Sequence, residues 1–271
     1  VTNALVLGGG GVAGVAWMTG LLAGLADVGK DVTDADLVVG TSAGSVIAAQ
    51  LGSGLSLDEL YARQVEPSLQ AKEIPVELDM ESYAMSLMAL FDGAPSQEEI
   101  QRRIGKFALA ADTPAEAVRR EAVASRLPSF DWPSRRIVLI AVDTETGEAR
   151  AFDNDSGVDL VDAVAASCAV PGVWPPVTIE GRRYMDGGIR SADNVDYAAG
   201  AKRLVVLLPL GSQALWPTAK PFDEVVDGLG AESVTVIAPD EQSAAAIGPN
   251  PLDPATRAPA AAAGRAQGRT H

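Results

Sequence analysis

The chain has one histidine, His271, and it is the last residue. A Ser-His-Asp triad, a Cys-His dyad and a zinc site of two or three histidines each need an imidazole inside the fold. A residue that follows Gly268, Arg269 and Thr270 at a chain end is expected to fray, so a hydrolase built on this sequence must find its base elsewhere. Cysteine is equally scarce. Cys168 stands alone, which excludes an intramolecular disulfide and a cysteine-rich metal site, and with no histidine to activate it, it reads as an inert buried thiol. Basic side chains number 21 against 36 acidic ones, a net charge of −15. Such a surface repels phosphates and anionic headgroups, so nucleic acid is not an expected partner. Aromatic residues make up 5% of the chain, and Trp17, Trp132, Trp174 and Trp216 are too dispersed to form a binding box, so they read as packing residues. No apolar run approaches the roughly 20 residues of a membrane-spanning helix. The opening Val1-Thr2-Asn3 lacks the positive charges of a secretory signal, and the expected location is the cytoplasm.

What is present is a hydrophobic, glycine-rich chain: 47% apolar residues and 27 glycines in 271 residues. At roughly 150 residues per domain, that length suits one large α/β domain with insertions or two small domains. Ala4 to Leu7 is a short apolar run that ends in glycines, and Val12 to Ala26 continues at helical spacing. Leu37 to Val39 repeats the pattern and leads into a helix from Ser45 to Leu51. Two strand-turn-helix units argue for parallel strands joined by crossover helices. From residue 56 to 127 only helical stretches follow, at Leu57 to Val65, Ser82 to Phe91, Ser96 to Ala110 and Pro114 to Arg126. They read as a helical insertion that is a lid candidate. Ser96 with Glu99 suggests a capping box and Pro114 a first helical position. Met80, Met85 and Met88 lie in this insertion, on what reads as an amphipathic helix packed on the core, with a flexible surface for an acyl chain or a lid over the serine as the alternative. Strand signals return at Arg136 to Val142, Ala149 to Phe152, Val177 to Met185, Leu204 to Leu208 and Val234 to Ala238, with a helix from Leu160 to Ala169 and Phe222 to Leu229 between the last two strands. The expected fold is an α/β three-layer sandwich around a mainly parallel sheet of five to seven strands. Residues 248–271, rich in proline and alanine, read as a Pro-broken helix or a loose tail.

Gly9-Gly10-Gly11-Val12-Ala13-Gly14 satisfies G-x-G-x-x-G between a strand and a helix. A dinucleotide site would place an acidic residue at the end of the second strand. Here Asp34 and Asp36 precede that strand and it ends in Gly40-Thr41-Ser42, so NAD or FAD is not expected. No lysine follows the glycines, and a phosphate-binding P-loop fails as well. Gly40-Thr41-Ser42-Ala43-Gly44 matches G-x-S-x-G at a strand-to-helix turn. Small residues on both sides of Ser42 let the chain bend sharply and expose its hydroxyl; the alternative is that Ser42 caps the following helix. The glycines before the first helix leave backbone N–H groups pointing outward, which suits an oxyanion. Asp186, in Tyr184-Met185-Asp186-Gly187-Gly188, is the candidate base, with an Asp-Gly hairpin turn as its alternative.

The string Leu7 to Gly14, the turn from Gly40 to Gly44, Ser167-Cys168-Ala169-Val170-Pro171 with Pro175-Pro176-Val177, and Asp186-Gly187-Gly188 occur in the order seen in patatin-like phospholipases. The sequence resembles that family over most of residues 4–210. The resemblance implies a catalytic domain over residues 1–247 and a serine hydrolase of lipid acyl esters. Ser42 would be the nucleophile, Asp186 the general base, Gly9, Gly10 and Gly11 the oxyanion hole, and Gly40 and Gly44 the flanks of the nucleophile elbow. It implies no metal and no organic cofactor, a lipid or other acyl-ester substrate, and a transient contact with a membrane surface. Two departures stand out. Val12-Ala13 replaces the usual basic residue after the glycines, and Asn194 stands near where a proline is usual. Acyl transfer or thioester hydrolysis at the same site, or lipid binding without turnover, are the alternative functions.

Overall fold

The computed structural model describes residues 1–212 and 220–271; Trp216 lies outside them. The apolar run after Thr2 forms β1 (Asn3–Leu7), and the glycines release the chain into α1 (Gly11–Asp27). β2 (Leu37–Thr41) and α2 (Ala43–Leu51) repeat the unit. The insertion contains α3 (Leu57–Val65), α4 (Met80–Ala89), α5 (Gln97–Ala110) and α6 (Glu116–Ala124). Its complete capping box is at Ser56 and Glu59. The box expected at Ser96 is half made, because Ser96 accepts the Glu99 N–H at 3.3 Å while the Glu99 carboxylate turns to Arg102 and Arg103. Pro114 falls before the N-cap, Ala115.

The second half runs through β3 (Arg136–Asp143), β4 (Ala149–Asp153), α7 (Leu160–Ser167), β5 (Val177–Ile179), β6 (Arg182–Asp186), β7 (Arg203–Leu207), α8 (Phe222–Gly228), β8 (Ser233–Ile237), α9 (Glu241–Ile247) and α10 (Arg257–Gly268). Among the described residues the sheet has 8 strands in the order β5-β6-β3-β2-β1-β7-β8, with β4 also paired to β3. The extra strand arises where a single one from Val177 to Met185 was expected. Glu180 and Gly181, at φ 52° and 78°, form a tight turn that splits it into β5 and β6. Four of the pairings are parallel, β1 with β2 and β7, β2 with β3, and β7 with β8.

Because strand side chains alternate between faces, Leu5, Leu7, Val38, Ile137 and Leu139 pack with α1, α2 and α7 on one side of the sheet. Ala4, Val6, Val39, Val138 and Ile140 pack with Val195, Ala198 and Val226 on the other. The result is the three-layer α/β fold. The Pro/Ala-rich end is not loose: α10 lies along α1, close enough that a Cβ at Gly20 would overlap the Ala261 carbonyl. Gln267 anchors it from within, accepting from Trp17 Nε1 at 3.0 Å and Ser243 Oγ at 2.9 Å and donating to the Ala238 carbonyl at 2.7 Å. Of the two readings of this end the helix holds, but sequence patterning does not show that it docks, because its buried face is alanine and glycine. His271 is exposed at its end, its carbonyl against Lys30 Nζ.

Candidate active site

β2 delivers Ser42 at its end, where the backbone takes φ 53° and ψ −114° before α2 begins. For a non-glycine residue this is strained, at a cost on the order of 1–3 kcal/mol, and the surroundings enforce it. A Cβ at Gly44 would overlap the Leu7 carbonyl, and one at Gly40 would come within 2.6 Å of the Gly44 carbonyl. Both flanking glycines are therefore required by close approach. Ser42 sits at the N-cap position of α2, yet its hydroxyl caps nothing. It lies within reach of the carboxyl of Asp186, whose ionised form it favours.

Asp186 ends β6 and enters a short 3₁₀ turn, Gly187–Ile189, so Asp186-Gly187 is not a hairpin turn. Its Oδ1 accepts the Gly188 N–H at 2.7 Å. The residue is 5% exposed. Burial pushes its carboxyl from 3.8 up to about 6, against the pull of the Ser42 hydroxyl, the Gly188 N–H and the charge of Arg119. That value suits proton exchange near neutrality.

Two segments hold these residues in place. At the end of α7, Ser167 Oγ accepts the Ser42 N–H at 2.9 Å, the Cys168 thiol donates to the Ser42 carbonyl at 3.2 Å, and the Ala169 carbonyl accepts the Asp186 N–H at 2.9 Å. Cys168 is buried and its thiol is pushed up by desolvation. The second segment follows Asp186. Asn194 is fully buried at φ 51°, and its Nδ2 reaches Thr41 Oγ1 at 3.0 Å, the Gly187 carbonyl at 3.2 Å and the Ser191 carbonyl at 2.9 Å. Arg190 fixes the amide by donating to its Oδ1 at 2.8 Å. Neither set of contacts is readable from local sequence, because each joins residues far apart in the chain. The one signal for the first segment was that Ser167 to Pro171 belongs to a block shared with the resembled family; Asn194 stood out instead as a departure from that family's pattern.

The glycine loop requires a correction. The Gly9 N–H donates to the Ala192 carbonyl at 2.8 Å, so it is not free to hold an oxyanion. The N–H groups of Gly10 and Gly11, at the start of α1, have no acceptor among the described residues. Ala13 is buried, and its N–H is taken by the Pro251 carbonyl at 2.9 Å. Positive charge is nonetheless close by. Val12 lines a cavity of about 20 Å³ together with Gln50, Gln64, Glu73, Arg126 and Arg257. Glu73 accepts from Arg126 at 2.6 Å and Arg257 at 2.7 Å, and lies 3.9 Å from Arg119, all four side chains being nearly buried. Arg119 stacks on Trp174 at 3.7 Å. Its Nη1 has no hydrogen-bond partner among the described residues.

Met80, Met85 and Met88 do not form a buried stripe. α4 buries none of its residues, and Met85 and Met88 are 65% and 64% exposed. Its link to the site is Tyr83, whose hydroxyl donates to the Pro171 carbonyl at 2.8 Å and whose ionisation is opposed by burial and by the charge of Asp186. Among the described residues no three His, Cys, Asp or Glu side chains gather as a metal site.

This chain is similar, at 28% identity over 174 residues, to a cGAMP-activated phospholipase of Escherichia coli (strain TW11681), covering 60% of this chain and 42% of that one. Among solved structures, VipD from Legionella pneumophila aligns over 84% of this chain and 52% of its own with 12% identity and a TM-score of 0.43. The type III effector protein ExoU aligns over 100% and 54%, with 14% identity and a TM-score of 0.37. The chain thus spans about half the length of these proteins or less. The Patatin-like phospholipase family model matches residues 5–199, and the chain belongs to that family.

Proposed function

We propose that the protein is a lipid acyl hydrolase of the phospholipase A type that works through a Ser42–Asp186 dyad. The observation that carries the reading is Ser42 itself: a strained serine whose hydroxyl caps nothing and lies within reach of the buried Asp186 carboxyl. Asp186 takes the proton as Ser42 Oγ attacks the ester carbonyl, and the tetrahedral oxyanion sits against the N–H groups of Gly10 and Gly11. The protonated Asp186 then gives that proton to the departing alcohol or lysolipid oxygen. Water attacks the acyl-serine as Asp186 accepts its proton, and Asp186 returns that proton to Ser42 Oγ as the acyl–oxygen bond breaks, releasing the fatty acid and the free serine. The catalytic unit in this reading includes α10 as well as the expected residues 1–247, since α10 packs directly on the helix that presents the glycine amides.

Ser42→Ala should abolish both ester hydrolysis and covalent labelling by a fluorophosphonate while leaving the melting temperature close to the parent value. Labelling that persists in this variant would place the nucleophile elsewhere. Running the same assay with an added alcohol acceptor separates hydrolysis from acyl transfer, since a transferase would convert most product to the new ester.

A further inference from the structure

A surface helix normally shows one apolar face and one polar face. α4 does not. Met80, Tyr83 and Leu87 are half-buried and face the protein, whereas Ala84, Met85, Met88 and Ala89 are exposed. Methionine is a flexible, polarizable side chain suited to irregular apolar partners, and two of them side by side on an outer face call for a cover.

We propose that the outer face of α4, centred on Met85 and Met88, is a docking surface for an uncharged or zwitterionic lipid interface. The proposal rests on the acyl-hydrolase reading and names the surface on which that site would meet its substrate. Charge selects the occupant. Between Ile74 and Gln101 the chain has no lysine or arginine, while Glu77, Asp79, Glu81, Asp92, Glu98 and Glu99 lie on the helix or flank it in sequence. Arg103, which reaches the C-terminal end of the helix, is committed to Glu99 and to the carbonyls of Leu90 and Asp92. An anionic surface would be repelled by this acidic segment. A second copy would bring the same acidic segment and a net charge of −15 against itself. A zwitterionic surface presents apolar chains without net negative charge. Position supports the same occupant: Tyr83, on the inner face of this helix, hydrogen-bonds Pro171 and lies within electrostatic reach of Asp186, so a lipid surface on α4 meets the protein beside the site.

The test uses flotation of the purified protein with phosphatidylcholine vesicles and with phosphatidylcholine vesicles containing phosphatidylglycerol, alongside hydrolysis of a soluble short-chain p-nitrophenyl ester. The parent protein should float with the zwitterionic vesicles and much less with the anionic ones. Met85→Glu combined with Met88→Glu should lower flotation at least about tenfold and leave hydrolysis of the soluble ester unchanged. Equal flotation of parent and variant, or equal flotation on both vesicle types, would overturn the proposal. So would a dimer of the parent that the double variant converts to monomer, which would assign the face to a second copy. Absence of soluble-ester hydrolysis in the parent would count against the enzymatic reading instead, and flotation would still decide this one.

Discussion

At the scale of single residues, Asp186 is the group whose environment departs most usefully from the ordinary. Its carboxyl is raised from 3.8 to about 6 by burial, so the folded protein binds a proton that the unfolded chain has released over that interval. Stability contributed by the protonated form is therefore present below pH 3.8 and is lost as pH rises through about 6, while the ionised base needed for turnover appears over the same window. Activity should accordingly rise with pH along a limb near 6. Arg119 favours the ionised form, so Arg119→Met, which keeps an apolar chain on Trp174 and leaves Glu73 paired with Arg126 and Arg257, should move that limb to higher pH. A pH–rate profile of kcat/KM checks this; a limb that stays put removes Arg119 from the electrostatics of the site. The sharp turns that carry Ser42 and Asp186 were both legible in sequence because they need small neighbours at fixed spacing. The misreading of Gly9 has a physical reason as well: a run of glycines shows which amides lack side-chain cover, but not which of them a carbonyl more than 180 residues away has taken.

At the scale of elements, the site is a junction of turns rather than the product of one motif. The segment Arg190 to Asn194 bonds the glycine loop through the Ala192 carbonyl, the elbow through Thr41, and the Asp186 turn through Gly187. Asn194 suits this place because its short amide tolerates positive φ and supplies donors to carbonyls on two sides. Asn194→Asp keeps the size and the tolerance for that backbone but turns the donor edge into an acceptor facing two carbonyls. The expected result is a fall in kcat of about tenfold, from a hydrogen-bond loss of roughly 1–2 kcal/mol, with KM little changed and the folded circular dichroism spectrum retained. An unchanged kcat would reduce Asn194 to a turn former. Among the elements, the strand-turn-helix units were legible because their apolar runs end in glycine. The β5–β6 turn was not, since Glu180 at positive φ carries no glycine-like signature of its own. α4 was misplaced for a different reason: its apolar residues look like a core stripe, and nothing in their spacing says that the core is elsewhere.

At the scale of the whole molecule, the parallel sheet brings together residues that the chain keeps far apart. β2 and β6 both neighbour β3, so the end of one presents Ser42 and the end of the other presents Asp186 on the same side. α10 closes the other face of α1, with Gln267 bonded to Trp17, and the Pro-rich run before it crosses the glycine loop at Pro251. The sheet, its layers and the all-helical insertion were expected from hydrophobic patterning, which reports burial well. The docking of α10 was not, because alanine and glycine bury by closeness rather than by hydrophobic bulk. That architecture makes the pairing of Ser42 with Asp186 the claim on which the rest depends. It is tested most directly by the turnover of Asp186→Asn on a p-nitrophenyl ester across pH, with fold checked by thermal melting. Turnover should drop by about 10²–10⁴-fold, the range of general-base catalysis, and the limb near pH 6 should vanish. Near-parental turnover with the limb intact would contradict the dyad and send the search for the base to another carboxylate.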